Sequence, residues 1–212
     1  MAFSDGGLLG KTRGKVGNLI YYTRMGKPLV RSIGINLVPP TDAQLACRMQ
    51  ISAVSAFTKI IKGFVNVSFK AEAKKQNKMV NTLVNSVNKA AALKGDYPDI
   101  EMDFTKAIVS NGDLAIAESP DVVIANGGLK FTWNVAEQLP WPDISDQALL
   151  LAYLPHERKA YYSLFGNLRA SGTGLLSINQ PMLNKRMETY IAFLAADGNR
   201  ASDSVFVKTL NG

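Results

Sequence analysis

The stretch ESPDVVIANGGLKFTWNV, residues 118–135, decides the fold of the longest part of this chain. Two runs rich in β-branched and aromatic residues flank Asn126-Gly127-Gly128, which is a strong signal for a tight hairpin turn. In the second run every other residue from Leu129 to Val135 is apolar, and successive side chains of a strand point to opposite faces. The stretch therefore predicts a β-hairpin with one buried face.

The rest of residues 96–212 repeats this pattern at regular spacing. Three further stretches predict strands and turns: DQALLLAYLPHERKAYYSLFG (146–166) with a turn at 155–158, SGTGLLSINQP (171–181), and RMETYIAFLAADGNRASDSVFVKTL (186–210) with a turn at 197–199. IEMDFTKAIVSNGDL (100–114) alternates and ends in Asn-Gly-Asp, which predicts another hairpin. Seven to nine short strands of this kind are typical of an antiparallel β-sandwich.

Residues 41–95 predict helices. Thr41 is a good N-cap and Gln44 completes a capping-box pattern. Apolar residues then recur at helical spacing as far as Phe64, and a second helix is predicted from about Lys70 to Leu93. Four lysines crowd the first turns of that second helix: Lys70, Lys74, Lys75 and Lys78. Because the helix dipole disfavours cations there, they hint at an anionic partner.

Residues 1–40 are rich in glycine and centre on GKVGNLIYYTRMGKPLVRSIG, residues 14–34. The pattern predicts two extended pieces, Gly17–Thr23 and Pro28–Leu37, with a turn at Arg24–Lys27. A two-stranded ribbon is marginal in water by itself, so this arm needs another surface. The candidate anchors for that surface are Leu19, Tyr21, Tyr22, Leu29 and Ile33.

The net charge of +7 is unevenly distributed along the chain. Residues 1–95 carry 15 Lys and Arg against three acids, whereas residues 96–212 carry nine against 14. This asymmetry indicates contact with nucleic acid, with an anionic surface, or with the acidic half of another copy. The candidate anion or nucleic-acid contacts are Lys11, Arg13, Lys15, Arg24, Lys27 and Arg31.

Together these patterns predict an α+β chain in three parts. A basic extended β-ribbon arm occupies residues 1–40, a two-helix segment forms a helical hairpin at 41–95, and an antiparallel immunoglobulin-like β-sandwich occupies 96–212. The sandwich resembles fibronectin type III and other modules without a disulfide, since Cys47 is the single cysteine. Trp133 fits the buried tryptophan of such a core, and Tyr190 fits a tyrosine corner. Whether the helices cover the sandwich or stand apart stays open at this point.

Three motifs carry a family resemblance. They are GKVGNLIYYTRMGKPLVRS (14–32), PPTDAQLACRMQ (39–50) and YIAFLAADGNRASDSVFV (190–207). They resemble an uncharacterised family of Bacteroidetes bacterial proteins, which shares the Gly-rich arm, a Thr-x-x-Gln…Arg helix start and a C-terminal Ser-Asp-Ser motif. The resemblance spans most of the chain and implies no catalytic residues.

The residues offer little for catalysis. His156, the single histidine, falls at a predicted hairpin tip and is interpreted as an exposed turn residue rather than a general base. GKTRGKVG (10–17) imitates a phosphate loop, but Asp5 stands where the loop needs glycine and the following residues look extended. The acids of DYPDIEMD (96–103) lack the spacing of a calcium loop. We therefore expect no catalytic residue, no metal site and no cofactor.

The prediction for function is a non-enzymatic structural protein that self-associates through its arm into a homo-oligomer or filament, as in a phage-type virion or a surface assembly. The alternative is sequence-nonspecific nucleic-acid binding by the basic half. A polymer hydrolase would need paired carboxylates about 5–9 Å apart, which only a structure can show. We expect no membrane span and no signal peptide, and synthesis in the cytoplasm.

Overall fold

The structure, a computed structural model, describes residues 3–5, 11–35, 38–136 and 141–212, with only the backbone of residues 3–5 and 11. The chain forms two compact units, Met1–Asp42 and Ala43–Gly212. The mixed α+β class is confirmed by the elements that each unit contains.

The described residues of the N-terminal unit form a four-stranded antiparallel sheet. Its strands are β1 (Phe3–Asp5), β2 (Lys11–Val16), β3 (Leu19–Arg24) and β4 (Lys27–Ser32), and they lie in that order. The predicted two-stranded ribbon is therefore wrong, because β1 and β2 extend it into a meander. The predicted turn is confirmed: Met25 and Gly26 both have positive φ, which matches the twist of the flanking strands. The end of the predicted second piece, residues 36–37, lies outside the described residues.

The second unit begins with four helices. They are α1 (Asp42–Ile60), α2 (Lys62–Ser68), α3 (Lys70–Lys75) and α4 (Val80–Ala91). The single helix predicted from Lys70 to Leu93 is wrong, because residues 76–79 interrupt it and Asn77 has φ +52°. Asparagine tolerates this left-handed conformation better than most residues.

The interruption changes the meaning of the lysine cluster. Lys74 and Lys75 lie in the last turn of α3, where the helix dipole favours cations. Lys78 lies between α3 and α4, and its Nζ donates a hydrogen bond to Gln76 Oε1 at 2.9 Å. Of these lysines only Lys70 occupies an unfavourable first turn. The cluster is therefore no longer a hint of an anionic partner.

In the described residues, nine strands follow the helices. They are β5 (Leu93–Lys94), β6 (Glu101–Met102), β7 (Glu118–Ala125), β8 (Gly128–Asn134), β9 (Gln147–Leu154), β10 (Lys159–Ser163), β11 (Thr173–Ser177), β12 (Met187–Leu194) and β13 (Val205–Leu210). The antiparallel sheets have the orders β10-β9-β12-β13 and β11-β8-β7, and β5 pairs with β6. The predicted β7–β8 and β9–β10 hairpins are confirmed.

The sheet β10-β9-β12-β13 lies between two layers. Leu149, Leu151 and Tyr153 of β9 belong to the core that includes the helices, whereas Leu150 and Leu154 belong to the core shared with the other sheet. β12 divides its side chains in the same way. Both strands are almost entirely buried because each of their faces is covered. This explains why their sequences read as continuous apolar runs.

Two sequence predictions about the sandwich need correction. Asn111-Gly112 is not a hairpin turn, because Leu114 instead forms a parallel bridge with Ser202, far away in sequence. Tyr190 is not a tyrosine corner, since its hydroxyl donates a 2.7 Å hydrogen bond to Phe104 O rather than to a carbonyl a few residues upstream. Trp133 is buried as predicted, and its Nε1 donates to Arg169 O at 2.8 Å.

Candidate functional site

The register of the N-terminal sheet places its basic residues on one face. Lys15 lies opposite Ile20, and Ile20 lies opposite Arg31. Cross-strand partners share a face, and residues two apart on one strand share it as well. All six predicted anion contacts therefore have register positions on this face, which we call the basic face: Lys11, Arg13, Lys15, Arg24, Lys27 and Arg31.

The opposite face, here called the uncharged face, carries no ionisable residue except Tyr21 along β2, β3 and β4. Its members are Thr12, Gly14, Val16, Leu19, Tyr21, Thr23, Pro28, Val30 and Ser32. Val16, Leu19 and Val30 are 50%, 40% and 53% exposed. A sheet of this size with open apolar side chains on one face has an unsatisfied hydrophobic surface.

The five predicted anchors do not form one set. Leu19 and Tyr21 lie on the uncharged face, whereas Tyr22 and Leu29 lie opposite one another on the basic face. Ile33 follows β4, and its N–H donates a 2.9 Å hydrogen bond to Asn18 O, which extends the β3–β4 hairpin by one bond. The structure thus separates residues that the sequence pattern grouped together.

The basic face holds apolar as well as cationic side chains. Ile20 and Tyr22 lie between the basic positions of β2 and β4 and are partly buried. No residue of this face whose side chain is described forms an ion pair with another described residue. Asp5 lies opposite Lys11 in the register of β1 and β2. The face is therefore strongly cationic.

One sequence signal could have revealed this division. Within β2, β3 and β4 the basic residues occur only at alternate positions of one set: 11, 13 and 15 in β2, 24 in β3, and 27 and 31 in β4. The strand bounds and the two-residue turns then bring these alternations into phase, because turn length fixes the register of a hairpin.

The other candidate residues do not gather into a reaction centre. His156 is exposed in the turn between β9 and β10, as predicted. Residues 11–16 form a strand, so the helix that a phosphate loop requires does not follow Gly10. Cys47 is partly buried on α1, and its Sγ accepts a hydrogen bond from Lys89 Nζ at 3.3 Å.

The acids of residues 96–103 have other partners. Glu101 lies 3.5 Å from Lys94 Nζ, and Asp103 Oδ1 accepts a 2.6 Å hydrogen bond from Thr105 Oγ1. The hydrogen bond from Thr105 lowers the pKa of the Asp103 carboxyl. Across the described part of the chain, no three His, Cys, Asp or Glu side chains come together in a way that could hold a metal ion.

The Ser-Asp-Ser motif at 202–204 is a structural connector. Ser202 Oγ accepts the buried N–H of Phe193 at 2.9 Å, and Ser204 Oγ accepts the N–H of Val109 at 3.0 Å. Asp203 Oδ1 accepts from Asn111 Nδ2, also at 3.0 Å. The hydrogen bonds of this motif therefore connect the irregular segment after β6 to the sheet β10-β9-β12-β13.

The comparisons with known proteins identify a family. Residues 11–208 match the model of a family of unknown function (DUF6266), and this range covers most of the chain. The chain belongs to that family, and the predicted membership in an uncharacterised family is confirmed. Comparison with curated proteins and with solved structures found no match. Among the described residues, no helix combines the length and the apolar character that crossing a membrane requires.

Proposed function

We propose that this protein is a non-enzymatic assembly protein that self-associates through the uncharged face of its N-terminal sheet, as a component of a virion or a surface layer would. The observation that carries the proposal is the set of exposed apolar side chains on that face, namely Val16, Leu19 and Val30, together with the partly buried Tyr21. A second copy presents the same face, so two sheets related by a two-fold axis can cover one another.

The estimated free energy favours a weak contact between two copies, which an assembly would repeat many times. Three strands of six residues and one of three span roughly 340 Å² per face, less than half of what each partner contributes to a standard interface. Covering three half-exposed side chains and the less exposed Tyr21 contributes about 3–6 kcal/mol per copy, against an association cost of about 4–15 kcal/mol. We therefore expect association that depends strongly on concentration.

Packing of faces is favoured over addition of a strand at the edge. β4 is an edge strand, and it contains Pro28, which lacks an N–H, and the exposed cations Lys27 and Arg31. These features protect an edge against pairing with another strand. In a face-to-face dimer the two basic faces point outward, away from each other.

Two neighbouring residues of β4 supply the experiment. Val30→Asp places a charge on the uncharged face, whereas Leu29→Asp places the same charge on the basic face, where it is surrounded by cations. We expect the wild-type protein and Leu29→Asp to associate with rising concentration, and Val30→Asp to stay monomeric, in sedimentation equilibrium at 1–200 µM. A monomeric wild type over this range, or equal association of the two variants, would refute the proposal.

We infer further that the sandwich is of the immunoglobulin or fibronectin type III class. The strand order supports this: β7, β8 and β11 occupy the positions of strands A, B and E, and β9, β12 and β13 those of C, F and G. β10 pairs with β9 at the edge of the second sheet. An experimental structure with a different connectivity would overturn the assignment.

The basic face supports a second candidate function, sequence-nonspecific binding of single-stranded nucleic acid. Six cations on one face can track phosphates, and Tyr22 between them can stack on a base. If all six contact phosphates, affinity for a 20-nucleotide strand falls about 300-fold between 50 and 200 mM salt. Changing Arg13, Arg24 and Arg31 to Gln should halve the salt slope, with Val30→Asp as control. No binding at 50 mM salt would eliminate this candidate.

A further inference from the structure

A cavity of about 480 Å³ opens beside α1 within the unit Ala43–Gly212. Its walls come from α1, from residues 101–105, from the β9–β10 turn and from the start of β12. Phe57, Phe104 and Tyr153 form an aromatic floor, with ring centroids 4.9–5.7 Å apart. The volume and the apolar floor are within the range of small-molecule sites.

The hydroxyl of Tyr153 is an open hydrogen-bonding group in this cavity. The side chain is only 5% exposed, yet its hydroxyl has no hydrogen-bond partner among the described residues. Burial raises the pKa of this hydroxyl, and the charge of Arg158 opposes that rise. The hydroxyl therefore stays protonated near neutral pH, and Tyr153 lines the same cavity as Arg158. The hydroxyl oxygen is not among the fully buried unpaired atoms of the described residues, so it is accessible from the cavity and free to hydrogen-bond to a ligand atom.

Arg158 is the cation left without an acid at the cavity. The other charged side chains at the wall have partners: Arg186 Nη2 lies 2.8 Å from Glu188 Oε1, Lys94 Nζ lies 3.5 Å from Glu101 Oε2, and Asp103 Oδ2 lies 3.8 Å from Lys106 Nζ. Arg158 forms no ion pair with any described residue and is exposed. It also lines the two shallower hollows that continue along α1 past Ser52 and Ala56. An anionic group can thus reach it from solvent.

We propose that this cavity binds a small apolar carboxylate, an aryl- or alkyl-substituted acid. The apolar part lies against the aromatic floor, and the carboxylate accepts hydrogen bonds from the Arg158 guanidinium and the Tyr153 hydroxyl. Arginine suits this role because its planar fork matches the two oxygens of a carboxylate. The inference is independent of the proposed function, because every lining residue belongs to the unit Ala43–Gly212.

The full-length protein and two probes, 3-phenylpropionate and octanoate, test the site by titration calorimetry and saturation-transfer NMR. The uncharged control ligand is 3-phenylpropionamide. We expect at least one acid to bind and the amide to bind about 10-fold or more weakly, because the amide lacks the negative charge that the Arg158 guanidinium attracts.

Variants separate the contacts. Arg158 has φ +50°, so Arg158→Asn keeps a residue that accepts this backbone conformation. It should weaken acid binding about 10-fold or more and leave the amide unchanged, whereas Tyr153→Phe should weaken the acid about 3- to 10-fold. Arg200→Asn, at an exposed position away from the cavity, is the matched control. Unfolding midpoints confirm that each variant folds.

The proposal is overturned by any of three results. Neither acid binds at 5 mM, the acid and the amide bind equally, or Arg158→Asn binds the acid as tightly as Arg200→Asn does. Blocking the cavity with Ala56→Trp should abolish binding of both acid and amide, and retained binding would place the site elsewhere.

Discussion

Asp203 Oδ1 accepts a 3.0 Å hydrogen bond from the backbone N–H of Gly112, a residue 91 positions earlier in the chain. Close by, Leu114 N donates to Ala201 O at 3.0 Å. The chain around the Ser-Asp-Ser motif therefore forms hydrogen bonds with residues 112–114, which the sequence pattern predicts to be part of a hairpin turn. The glycine at 112 permits close approach of two backbones rather than a change of chain direction.

Gly112→Ala should destabilise the second unit by about 3 kcal/mol. A Cβ at this position would overlap the carbonyl oxygen of Ala201, and backbone atoms cannot rotate away as a side chain would. Gly198→Ala is the control, because it meets open space and suffers only from its φ of +67°. Gly198→Ala should lower the free energy of unfolding by about 1 kcal/mol. Urea unfolding measures both, and a smaller loss for Gly112→Ala than for Gly198→Ala would contradict the close approach.

Ser202→Ala should lower the free energy of unfolding by about 1–3 kcal/mol. The Oγ of Ser202 is the acceptor for the N–H of Phe193, and both residues are buried, so the substitution leaves this N–H without a partner. Ser177→Ala removes the same atom from an exposed position on β11 and should change stability by less than about 0.5 kcal/mol. Equal unfolding midpoints for the two variants would show that the motif contributes no stability.

Tyr190→Phe should lower the free energy of unfolding by about 1–2 kcal/mol. The hydroxyl of Tyr190 donates to Phe104 O at 2.7 Å, and without it this carbonyl loses its partner. Burial raises the pKa of this hydroxyl well above its usual value, so it remains a donor at all neutral pH values. Tyr161→Phe, whose hydroxyl has no partner among the described residues, should be nearly neutral. Similar losses in both variants would argue against a specific bond.

Asp146→Asn should change the pH dependence of stability. Burial raises the pKa of the Asp146 carboxyl, and the charge of Asp143 adds to this, while the Arg169 guanidinium opposes both. A folded-state pKa above the unfolded value of about 3.9 means that the folded state binds the proton more tightly. The contribution of Asp146 to stability is therefore lost as the pH rises from about 3.9 through the raised pKa.

The free energy of unfolding of the wild type relative to Asp146→Asn should accordingly fall between pH 3.5 and 7 in urea titrations. Arg169 stays charged over this pH range. Asp146→Asn removes the carboxylate that lies 3.5 Å from Arg169 in the wild type, so this loss changes the free energy of unfolding of the variant by the same amount at every pH. Asp197→Asn should show the opposite trend, because the N–H of Asn199 lowers the pKa of Asp197. A flat difference for Asp146, or the same trend at both positions, would refute the prediction.

Much of the fold could be predicted because its signals are local. The turns at Met25-Gly26 and at 126–127 follow from glycines that accept positive φ. The errors of helix length and hairpin assignment arise where the local pattern and the tertiary structure disagree. Asn77 interrupts a pattern whose composition still favours a helix, and Asn111-Gly112 has the composition of a turn while its partners lie some 90 residues away.

The two faces of the N-terminal sheet and the cavity beside α1 were harder to predict from the sequence. The basic residues of the N-terminal sheet were predicted individually, but their separation from Leu19 and Tyr21 needed the register of three strands. Tyr153 and Arg158 were not predicted as a pair. In the sequence, Tyr153 looks like one more apolar residue of β9, and Arg158 looks like a turn residue. Only the packing of α1 against this region shows that both line one cavity.

The sequence by itself determined the strands of the antiparallel sheets, most of their turns, the helical region and the uneven charge, because neighbouring residues encode period, turn chemistry and charge. Only the tertiary structure decided which layer each face of β9 and β12 meets, why Gly112 must be small, and that Tyr153 and Arg158 line the same cavity. Those properties arise from contacts between distant segments. They depend on how layers stack, which no local pattern of residues records.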